Sequence, residues 1–441
     1  MKNQVKIDQS IKPFKKNIFV SSDKSLSIRS ILLSSIAIGQ SKIFNLLNSE
    51  DVINTLKVME KIGVNYIKKK KYTIIFGVGI NGFKAKENVV LNAGNSGTLA
   101  RCVLGLCSAI QSDIKLIGDR SLSKRDFQRV TKPLNLFGVN IKSKKGGLPI
   151  NFRGSSLLRP IDYTENKGSA QVKTCIIFSA INTPGITNIK AKKSRNHTEL
   201  MLKYLKYPIE IKKNKSFDLI KIKGLNQFGS FDYKIPGDMS SASFFIVLTL
   251  LSTDSELTIK DININPTRIG IIKILKKMNS NIKIINTKEY KGEKIGDIKI
   301  KSTNNFKPIK CPEHLNSSAI DEFLLIFLVA AKCKGISSFK NLNELNKKES
   351  PRLDIALKFL KMIGVKFKRK KDDIKIFGNP RLELNGNYHV KNFLKDHRVF
   401  MMSVIAALTF KGNWKIDDKD SIKTSFPEFL DIIKKLGGRI N

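Results

Sequence analysis

Histidine, tryptophan and closely spaced cysteine are scarce in this chain. It has four histidines, one tryptophan and five cysteines in 441 residues. The cysteines form no CxxC pair, and the histidines do not show the spacing that zinc sites use. These absences argue against a metal site and a disulfide framework. We expect the cysteines to be buried free thiols in a reducing compartment, and we expect no metal and no cofactor.

Long apolar runs are also missing. No stretch of about 20 residues is apolar and free of charge, so the sequence predicts no membrane-spanning helix. The first residues, MKNQVKIDQSIKPFKKNIFV, contain neither the apolar core nor the small-residue cleavage site of a secretory signal. We therefore expect a cytoplasmic protein with no membrane partner.

Acidic residues are few, 37 against 80 lysines and arginines, which gives a formal net charge of +43. Such a charge is typical of proteins that bind nucleic acids or anionic membranes. Here most of it is lysine spread along the chain, whereas nucleic-acid grooves favour clustered arginine and aromatic side chains. We interpret the charge as solvated surface and expect no specific nucleic-acid partner. A basic repeat protein that binds nucleic acid stays open as an alternative.

What the chain does contain is an internal repeat. A segment with a small or polar first residue, about twelve mostly apolar residues, a polar break and a short alternating strand occurs six times. The copies begin at Ser27, Ser96, Ser169, Ser241, Asp321 and Asp396.

An amphipathic helix with apolar residues at i, i+3, i+4 and i+7 follows each copy. These helices are predicted in TLKVMEKIGV, RVTKPLNLFGV, TELMLKYLKYPI, RIGIIKILKKMNSNI, RLDIALKFLKMIGV and FPEFLDIIKKLGGRI. Because strands alternate with helices, we predict an α/β or α+β fold that includes parallel strand pairs. The first helix of each unit is apolar nearly all round, which indicates a helix buried among sheets.

The length allows two domains of about 200 residues each. The segment SSDKSLS near Val20 is similar to PGDMSSAS near Ile235, and each precedes three of the six units. We therefore predict one domain over residues 21–237 and a second that combines 1–20 with 238–441. The chain is expected to cross between them near residues 21 and 238.

Polar and basic residues concentrate where these helices begin. Helix N-termini expose N–H groups and a partial positive charge, so several that converge would bind anions. The starts of the first helices contain Lys24, Ser25, Arg29, Asn95, Ser96, Gly97, Thr98, Arg101, Ser169 and Gln171. The starts of the second helices add Arg125, Ser194, Arg195, Lys348, Glu349 and Arg352.

Any one of these residues could be an ordinary helix cap. Asp321 is open to that interpretation, and Pro351 is compatible with Ser350 capping a helix. Arginine forks suit phosphate and carboxylate groups, however, and several lie here together. Asp321 and Glu349 are the carboxylates best placed to transfer protons among these cations.

Eight motifs in order carry a family resemblance. They are LNAGNSGTLAR, GDRSLSKR, SAQVKTCIIF, SRNHTELML, IPGDMSSASFF, KKESPRL, DHRVFMM and TSFPEF. The series resembles that of the EPSP synthases, in the bacterial branch with SAQ and SRxHTE motifs, from about Phe19 to Gly437. The resemblance implies two domains, each of three βαβαββ units, which close over the substrates, with shikimate 3-phosphate on the side of domain 21–237.

The resemblance also implies a reaction. A monomeric, cofactor-free transferase would move the enolpyruvyl group of phosphoenolpyruvate to the 5-hydroxyl of shikimate 3-phosphate by addition and elimination. The product leads to chorismate and aromatic amino acids, and glyphosate would inhibit the enzyme.

Residue roles follow from the matched motifs. The resemblance implies that shikimate 3-phosphate contacts Lys24, Ser25, Arg29, Ser169, Ala170, Gln171, Ser194, Asp321 and Lys348. It implies that phosphoenolpyruvate contacts Lys24, Gly97, Arg125, Gln171, Arg352 and Arg398. Lys24, Asp321 and Glu349 would be catalytic, with Asp321 accepting the hydroxyl proton.

Some positions depart from the family pattern. They are Ser22, Ile28, Asp126, Asn346, Pro351 and Thr424, the last with Lys423 beside it. An inactive family member therefore stays open as an alternative.

A related enolpyruvyl transferase that acts on UDP-N-acetylglucosamine is a further alternative. That enzyme usually has a cysteine on a mobile loop and asparagine after its first lysine. This chain has no cysteine between Gly118 and Arg129, and Ser25 follows Lys24.

Overall fold

The computed structural model describes residues 3–441, which form two compact units. The N-terminal unit comprises Ser22–Ile235 together with Tyr290–Glu293. The C-terminal unit comprises the described part of Met1–Ser21, Pro236–Glu289 and Lys294–Asn441. Residues 1 and 2, which fall within the second predicted domain, lie outside the described residues.

Helices and strands are numbered along the chain. The C-terminal unit contributes the first two strands, β1 (Gln4–Ile7) and β2 (Lys15–Ile18). The strands of the N-terminal unit are β3 (Ile38–Phe44), β4 (Tyr66–Lys68), β5 (Tyr72–Val78), β6 (Val89–Asn92), β7 (Ile114–Ile117), β8 (Asn140–Lys144), β9 (Gly147–Arg153), β10 (Asp162–Glu165), β11 (Ile186–Lys192), β12 (Ile209–Lys213), β13 (Phe217–Lys223) and β14 (Asp232–Lys234). Its helices are α1 (Lys24–Ile36), α2 (Glu50–Lys61), α3 (Gly97–Leu106), α4 (Arg120–Ser123), α5 (Gln128–Phe137), α6 (Ala170–Ile181) and α7 (His197–Tyr204).

The C-terminal unit continues after Pro236. Its further strands are β15 (Glu256–Asn263), β16 (Asn281–Tyr290), β17 (Glu293–Lys301), β18 (Gly335–Phe339), β19 (Phe367–Lys370), β20 (Asp373–Gly378), β21 (Asn387–Val390) and β22 (Asn413–Asp417). Its α-helices are α8 (Met239–Leu251), α9 (Gly270–Lys277), α10 (Asn316–Ala319), α11 (Phe323–Ala331), α12 (Arg352–Met362), α13 (His397–Phe410) and α14 (Phe429–Lys435). Short 3-10 turns occupy Glu313–Leu315, Asn343–Lys347 and Lys419–Thr424.

Within residues 3–441 the strands form six small sheets. Those of the N-terminal unit have the orders β14-β3-β5-β4, β6-β7-β9-β8 and β10-β11-β13-β12. In each, the first two strands are parallel and the other pairs are antiparallel. The C-terminal unit has β16-β17-β15-β2, β18-β20-β19 and β1-β22-β21. The predicted mixed fold with parallel strand pairs is confirmed.

The first helix of each repeat is buried, as its apolar composition predicts. Helices α1, α3 and α6 lie in the core of the N-terminal unit, and α8, α11 and α13 lie in the core of the C-terminal unit. The five cysteines are buried free thiols, as expected. Among residues 3–441, no single helix has the length and apolar composition that crossing a membrane requires. In the same part of the chain, the pair Glu313–Ala319 and Phe323–Ala331 passes this test jointly, across a bend of 118°.

The predicted helix starts are correct for half of the repeats. Ser96, Ser169 and Asp396 are N-caps whose side chains accept a hydrogen bond from the first turn of α3, α6 and α13. Each satisfies one of the N–H groups that a helix start leaves without an intrahelical partner.

The predicted starts at Ser27, Ser241 and Asp321 are wrong. Asp23 and Asp238 cap α1 and α8, so Ser27 and Ser241 lie inside these helices. Both segments contain several successive residues that can cap, which makes the true start ambiguous from sequence. Asp321 precedes α11, whose N-cap position is Glu322.

Close helix packing in the N-terminal unit generates a stability prediction. A Cβ added at Gly105 in α3 would lie 2.0 Å from the carbonyl oxygen of Cys175 in α6. We expect Gly105→Ala to lower the free energy of unfolding by about 1–3 kcal/mol through overpacking, although alanine is the better helix former. Thermal or denaturant unfolding measures the change. Gly229→Ala is the control, since its added Cβ has no atom within 4 Å, and equal stability of the two variants would contradict the prediction.

Candidate active site

In the N-terminal unit, Gln171 joins the starts of α3 and α6. Its Oε1 accepts a hydrogen bond from Arg101 Nη1 at 2.5 Å, and its Nε2 donates to Thr98 Oγ1 at 3.0 Å. Arg101 also donates to the carbonyl oxygen of Asp126 at 3.2 Å and lies over the ring of Phe127. The predicted residue Gln171 is therefore held in one orientation beside the first turn of α3.

Positive charge accumulates at the same place. Burial, and then the neighbouring charges of Arg125 and Arg129, lower the pKa of Arg101 to about 10. Asp126 opposes this effect but does not cancel it. Burial disfavours the charged form of an arginine, and neighbouring cations disfavour it further. This part of the unit is therefore suited to bind an anion.

Gly97 lies against these arginines. A Cβ built on Gly97 would be 2.7 Å from Arg125 Nη1 and 3.2 Å from Arg101 Nη1. Because glycine has no side chain, both guanidinium groups can approach the backbone at this position. The structure brings the predicted residues Gly97, Arg125 and Gln171 together.

Asp126 has a local role. Its carboxylate accepts hydrogen bonds from the backbone N–H of Gln128 at 2.9 Å and from Arg129 Nε at 3.3 Å. It therefore supports the start of α5, which explains an acidic group beside Arg125. Ile28, another departure, lies in the hydrophobic core.

The start of α6 is stabilised by a carboxylate that the sequence analysis missed. Buried Glu165 accepts hydrogen bonds from the backbone N–H groups of Lys167, Gly168 and Ser169 at 2.8–3.1 Å. Burial raises the pKa of Glu165, although the three N–H groups oppose that rise. Its position at the end of β10, four residues before the cap Ser169, is the available sequence signal. Glu165 fixes the loop that presents Ser169 and Ala170.

The first turns of α1 contain Lys24, Ser25 and Arg29. Lys24 Nζ lies 2.9 Å from Asp51 Oδ2, at the start of α2. Arg29 is buried among α1, α6 and α7. Asp51 was not predicted, although it stands in an acidic first turn that favours a nearby cation.

Ser194 precedes α7. Its side chain is 7% exposed, and its Oγ makes no hydrogen bond within residues 3–441. Because a buried hydroxyl normally has a partner, Ser194 is suited to bind a polar ligand group.

In the C-terminal unit, buried Arg352 binds three carboxylates. Its Nε lies 2.9 Å from Asp396 Oδ2, its Nη1 3.1 Å from Asp321 Oδ1 and its Nη2 2.5 Å from Glu349 Oε2. Arg352 is only 1% exposed. Two carboxylates with a predicted catalytic role, Asp321 and Glu349, are thus held by one guanidinium group.

Two further cations surround Asp321. Lys348 Nζ lies 3.3 Å from Asp321 Oδ1, and Arg398 Nη2 lies 3.8 Å from Oδ2. Arg398 also donates to the carbonyl oxygen of Asp321 at 3.3 Å. All five residues predicted in this unit, Asp321, Lys348, Glu349, Arg352 and Arg398, therefore form one cluster.

The cluster changes the ionisation of its buried members. Burial alone would raise the pKa of Asp396, but Arg352 and His397 more than offset this, so the pKa lies below its ordinary value. Burial opposes the charged form of Arg352 as well, yet Asp396, Glu349 and Asp321 raise its pKa above the usual range. Arg352 and Asp396 are therefore a charged buried pair.

Ser350 does not cap α12. The hydroxyl of Ser350 donates to Asp396 Oδ2 at 2.7 Å, and Pro351 occupies the N-cap position. Asn346 Oδ1 accepts the N–H groups of Leu353 and Asp354 at 3.0 and 3.3 Å. A residue six positions before the helix thus satisfies its first turn because the 3-10 turn at Asn343–Lys347 folds back on it.

Comparison with known proteins decides the family. The family model "EPSP synthase (3-phosphoshikimate 1-carboxyvinyltransferase)" matches residues 9–433. The chain belongs to the EPSP synthase family. It is therefore a carboxyvinyltransferase of the shikimate pathway.

Individual EPSP synthase relatives align over nearly the whole chain. The 3-phosphoshikimate 1-carboxyvinyltransferase of Ruthia magnifica is 39% identical, over 96% of this chain and 95% of the relative. That of Zymomonas mobilis is 35% identical, over 98% and 96%. A solved EPSP synthase from Acinetobacter baumannii has a TM-score of 0.87 and 33% identity, covering 99% of both chains. The enolpyruvyl transferase NikO from Streptomyces tendae, with a TM-score of 0.74, 13% identity and coverage of 99% and 98%, shares the fold.

The buried pair of Arg352 and Asp396 generates a pH prediction. Because the pKa of Asp396 is lowered in the folded state, its ionisation stabilises the fold above its unfolded pKa of about 4, and this contribution is lost as pH falls through the lower folded value. We expect Asp396→Asn to lower the free energy of unfolding at pH 7 by about 1–3 kcal/mol. The variant should then lose less stability than the wild type between about pH 5 and 3.

Melting temperatures measured across this pH range test the prediction. The control is Asp431→Asn, which changes an exposed carboxylate of α14. An acid-induced loss that is as large in Asp396→Asn as in the wild type would contradict the assignment.

Proposed function

We propose that this chain transfers the enolpyruvyl group of phosphoenolpyruvate to the 5-hydroxyl of shikimate 3-phosphate, with release of phosphate. The observation that carries the proposal is the cluster around Arg352, where Asp321 and Glu349 lie among three cations. Addition and elimination require groups that transfer protons and positive charge that stabilises phosphate and carboxylate. The cluster supplies both.

Shikimate 3-phosphate is assigned mainly to the N-terminal unit. Ser169 and Ala170 stand at the N-terminus of α6, where backbone N–H groups and the helix dipole favour an anion. Buried Ser194 supplies a hydroxyl without a protein partner among the described residues. The full assignment in this unit is Lys24, Ser25, Arg29, Ser169, Ala170, Gln171 and Ser194. Asp321 and Lys348 are assigned to the ring hydroxyls.

Phosphoenolpyruvate is assigned to residues that can bind two negatively charged groups. In the N-terminal unit these are Lys24, Gly97, Arg125 and Gln171, and both Gly97 and Gln171 lie against the guanidinium group of Arg101. In the C-terminal unit they are Arg352 and Arg398. Arg398, with its side chain 13% exposed, is more accessible than Arg352.

The proton transfers follow from these assignments. The 5-hydroxyl oxygen attacks C2 of phosphoenolpyruvate while C3 gains a proton, which gives a tetrahedral ketal. Asp321 accepts the hydroxyl proton, and Glu349 and Lys24 transfer the others. The ketal then loses a proton from C3 and expels phosphate, which restores the double bond.

We further propose that the enzyme is a cytoplasmic monomer without a specific nucleic-acid partner. The alternative substrate UDP-N-acetylglucosamine is not favoured, since the family model and the curated relatives share the 3-phosphoshikimate name.

A coupled phosphate-release assay tests the proposed reaction. We expect steady release with shikimate 3-phosphate and phosphoenolpyruvate together, and only background with either alone. Release that depends on UDP-N-acetylglucosamine, or none with both shikimate 3-phosphate and phosphoenolpyruvate, would overturn the proposal.

The assigned carboxylates lead to a kinetic prediction. Asp321→Ala and Glu349→Gln should each lower kcat by roughly 10²–10⁴-fold, the usual contribution of a positioned acid or base. Folding should be largely retained, because Arg352 keeps its contact with Asp396 and one further carboxylate in either variant.

Turnover and melting temperature are measured on both variants. Glu383→Gln is the control, since Glu383 pairs with Lys411 at the surface. A lowered melting temperature with kcat within about threefold of the wild type would assign Asp321 and Glu349 to structure alone.

Gly97 leads to a prediction on inhibition. The unsubstituted position should leave room for glyphosate where phosphoenolpyruvate binds, so the wild type should be inhibited. In Gly97→Ala the added methyl group would collide with Arg125 Nη1 at 2.7 Å and displace it. We expect the inhibition constant of glyphosate and the KM of phosphoenolpyruvate to rise, the former by roughly tenfold or more.

Inhibition curves on both proteins, with Gly229→Ala as control, measure the effect. If the wild type turns over normally and glyphosate does not inhibit it, the assignment of Gly97 to the phosphoenolpyruvate site is wrong.

A further inference from the structure

Arg29 is assigned to an anionic ligand, yet it is only 3% exposed. Its Nε donates to Thr198 Oγ1 at 2.8 Å, and its Nη2 donates to Thr174 Oγ1 at 3.2 Å. Its Nη1 donates to the carbonyl oxygen of Ser25 at 3.1 Å. Three helices, α1, α6 and α7, therefore meet at one guanidinium group.

The two threonines also bind each other. Thr174 Oγ1 and Thr198 Oγ1 are 2.8 Å apart, and both side chains are buried. A hydroxyl has one hydrogen to donate and two lone pairs. One threonine can therefore donate to the other while both accept a hydrogen bond from Arg29. Valine has a similar shape to threonine, but it has no oxygen that could accept a hydrogen bond from Arg29.

The neighbouring residues reinforce this contact. Lys173 Nζ lies 2.6 Å from Glu199 Oε1, and neither side chain is more than 2% exposed. Because Lys173 precedes Thr174 and Glu199 follows Thr198, α6 and α7 are joined by an ion pair and a hydrogen bond side by side. The threonine oxygens are thus fixed acceptors, since the helices that carry them are tied together.

The contacts with the threonines occupy one edge of the planar guanidinium group of Arg29. Nε and Nη2 form the edge that faces the threonines, and Ser25 takes one hydrogen of Nη1. Nη1 and Nη2 each carry two N–H groups, and these contacts use one of each, so the terminal edge of the group keeps two donors. Such an edge matches the two oxygens of a phosphate or carboxylate.

We propose that Thr174 and Thr198 are positioning residues that orient Arg29 to bind an anionic group of shikimate 3-phosphate with its terminal edge. The proposal rests on the assignment of Arg29 to this substrate. Thr198, in the SRNHTE segment, and Thr174, which follows SAQVK, then contribute to the affinity for the substrate. Their hydroxyls act through Arg29 and do not contact the reacting atoms.

The test uses Thr174→Val and Thr198→Val in the full-length enzyme. Each should raise the Kd of shikimate 3-phosphate, measured by calorimetry, by roughly tenfold or more, because a hydrogen bond to a charged group is lost. The KM of phosphoenolpyruvate and kcat at saturating substrate should stay within about threefold of the wild type. Thr174→Ser and Thr198→Ser retain the hydroxyl and should restore the affinity.

Thr183→Val is the matched control. Thr183 is buried just after α6, and its hydroxyl donates to the carbonyl oxygen of Ser179 at 2.8 Å. The control also removes a buried threonine hydroxyl, yet it should leave the Kd of shikimate 3-phosphate unchanged. If a valine variant does not fold, the serine variant at the same position is measured instead. A weakened affinity for shikimate 3-phosphate in that variant, which retains the hydroxyl, would overturn the proposal.

A double-mutant cycle with Arg29→Lys separates the possible outcomes. If the threonines act through Arg29, Thr198→Val should weaken binding much less in the Arg29→Lys background than in the wild type. Equal effects in both backgrounds, or unchanged affinity in the valine variants, would overturn the positioning role. A wild type that does not bind shikimate 3-phosphate would refute the proposed function, and wild-type affinity in Arg29→Lys would refute the assignment of Arg29.

Discussion

Burial of helices that are apolar on every side is the constraint on which the structure depends. The sides of these helices pack in the hydrophobic core of their unit. They are α1, α3 and α6 in the N-terminal unit and α8, α11 and α13 in the C-terminal unit. Polar contacts therefore concentrate near their first two turns. Each start must satisfy its own N–H groups, so capping side chains, basic residues and glycine gather there, and candidate ligand contacts gather with them.

The same constraint explains what the sequence could reveal. Apolar periodicity predicts the six buried helices and their amphipathic partners, because these faces depend on residues close in sequence. Ser96 and Ser169 are correctly predicted as caps for the same reason. The starts of α1 and α8 were predicted at serines that lie inside these helices. Asp23 and Asp238 precede those serines, can cap equally well and are the observed N-caps.

Contacts that do not follow the helix periodicity could not be predicted in this way. Asn346 caps α12 across a turn, and Glu165 stabilises a loop by accepting three N–H groups. Motif similarity placed Asp321, Glu349 and Arg398 in one candidate site, but it gave no partner for any of them. Asp396, predicted only as the start of a helix, is a principal partner of Arg352.

The cluster around Arg352 has a thermodynamic consequence for any anion that enters it. Its cations are Lys348, Arg352 and Arg398, and its carboxylates are Asp321, Glu322, Glu349 and Asp396. Each of these carboxylates already pairs with at least one of the three cations. An entering anion must compete with internal carboxylates for the same N–H donors, so its binding is coupled to carboxylate displacement or proton uptake. Where the anion binds with proton uptake, part of its binding enthalpy comes from the buffer that supplies the proton.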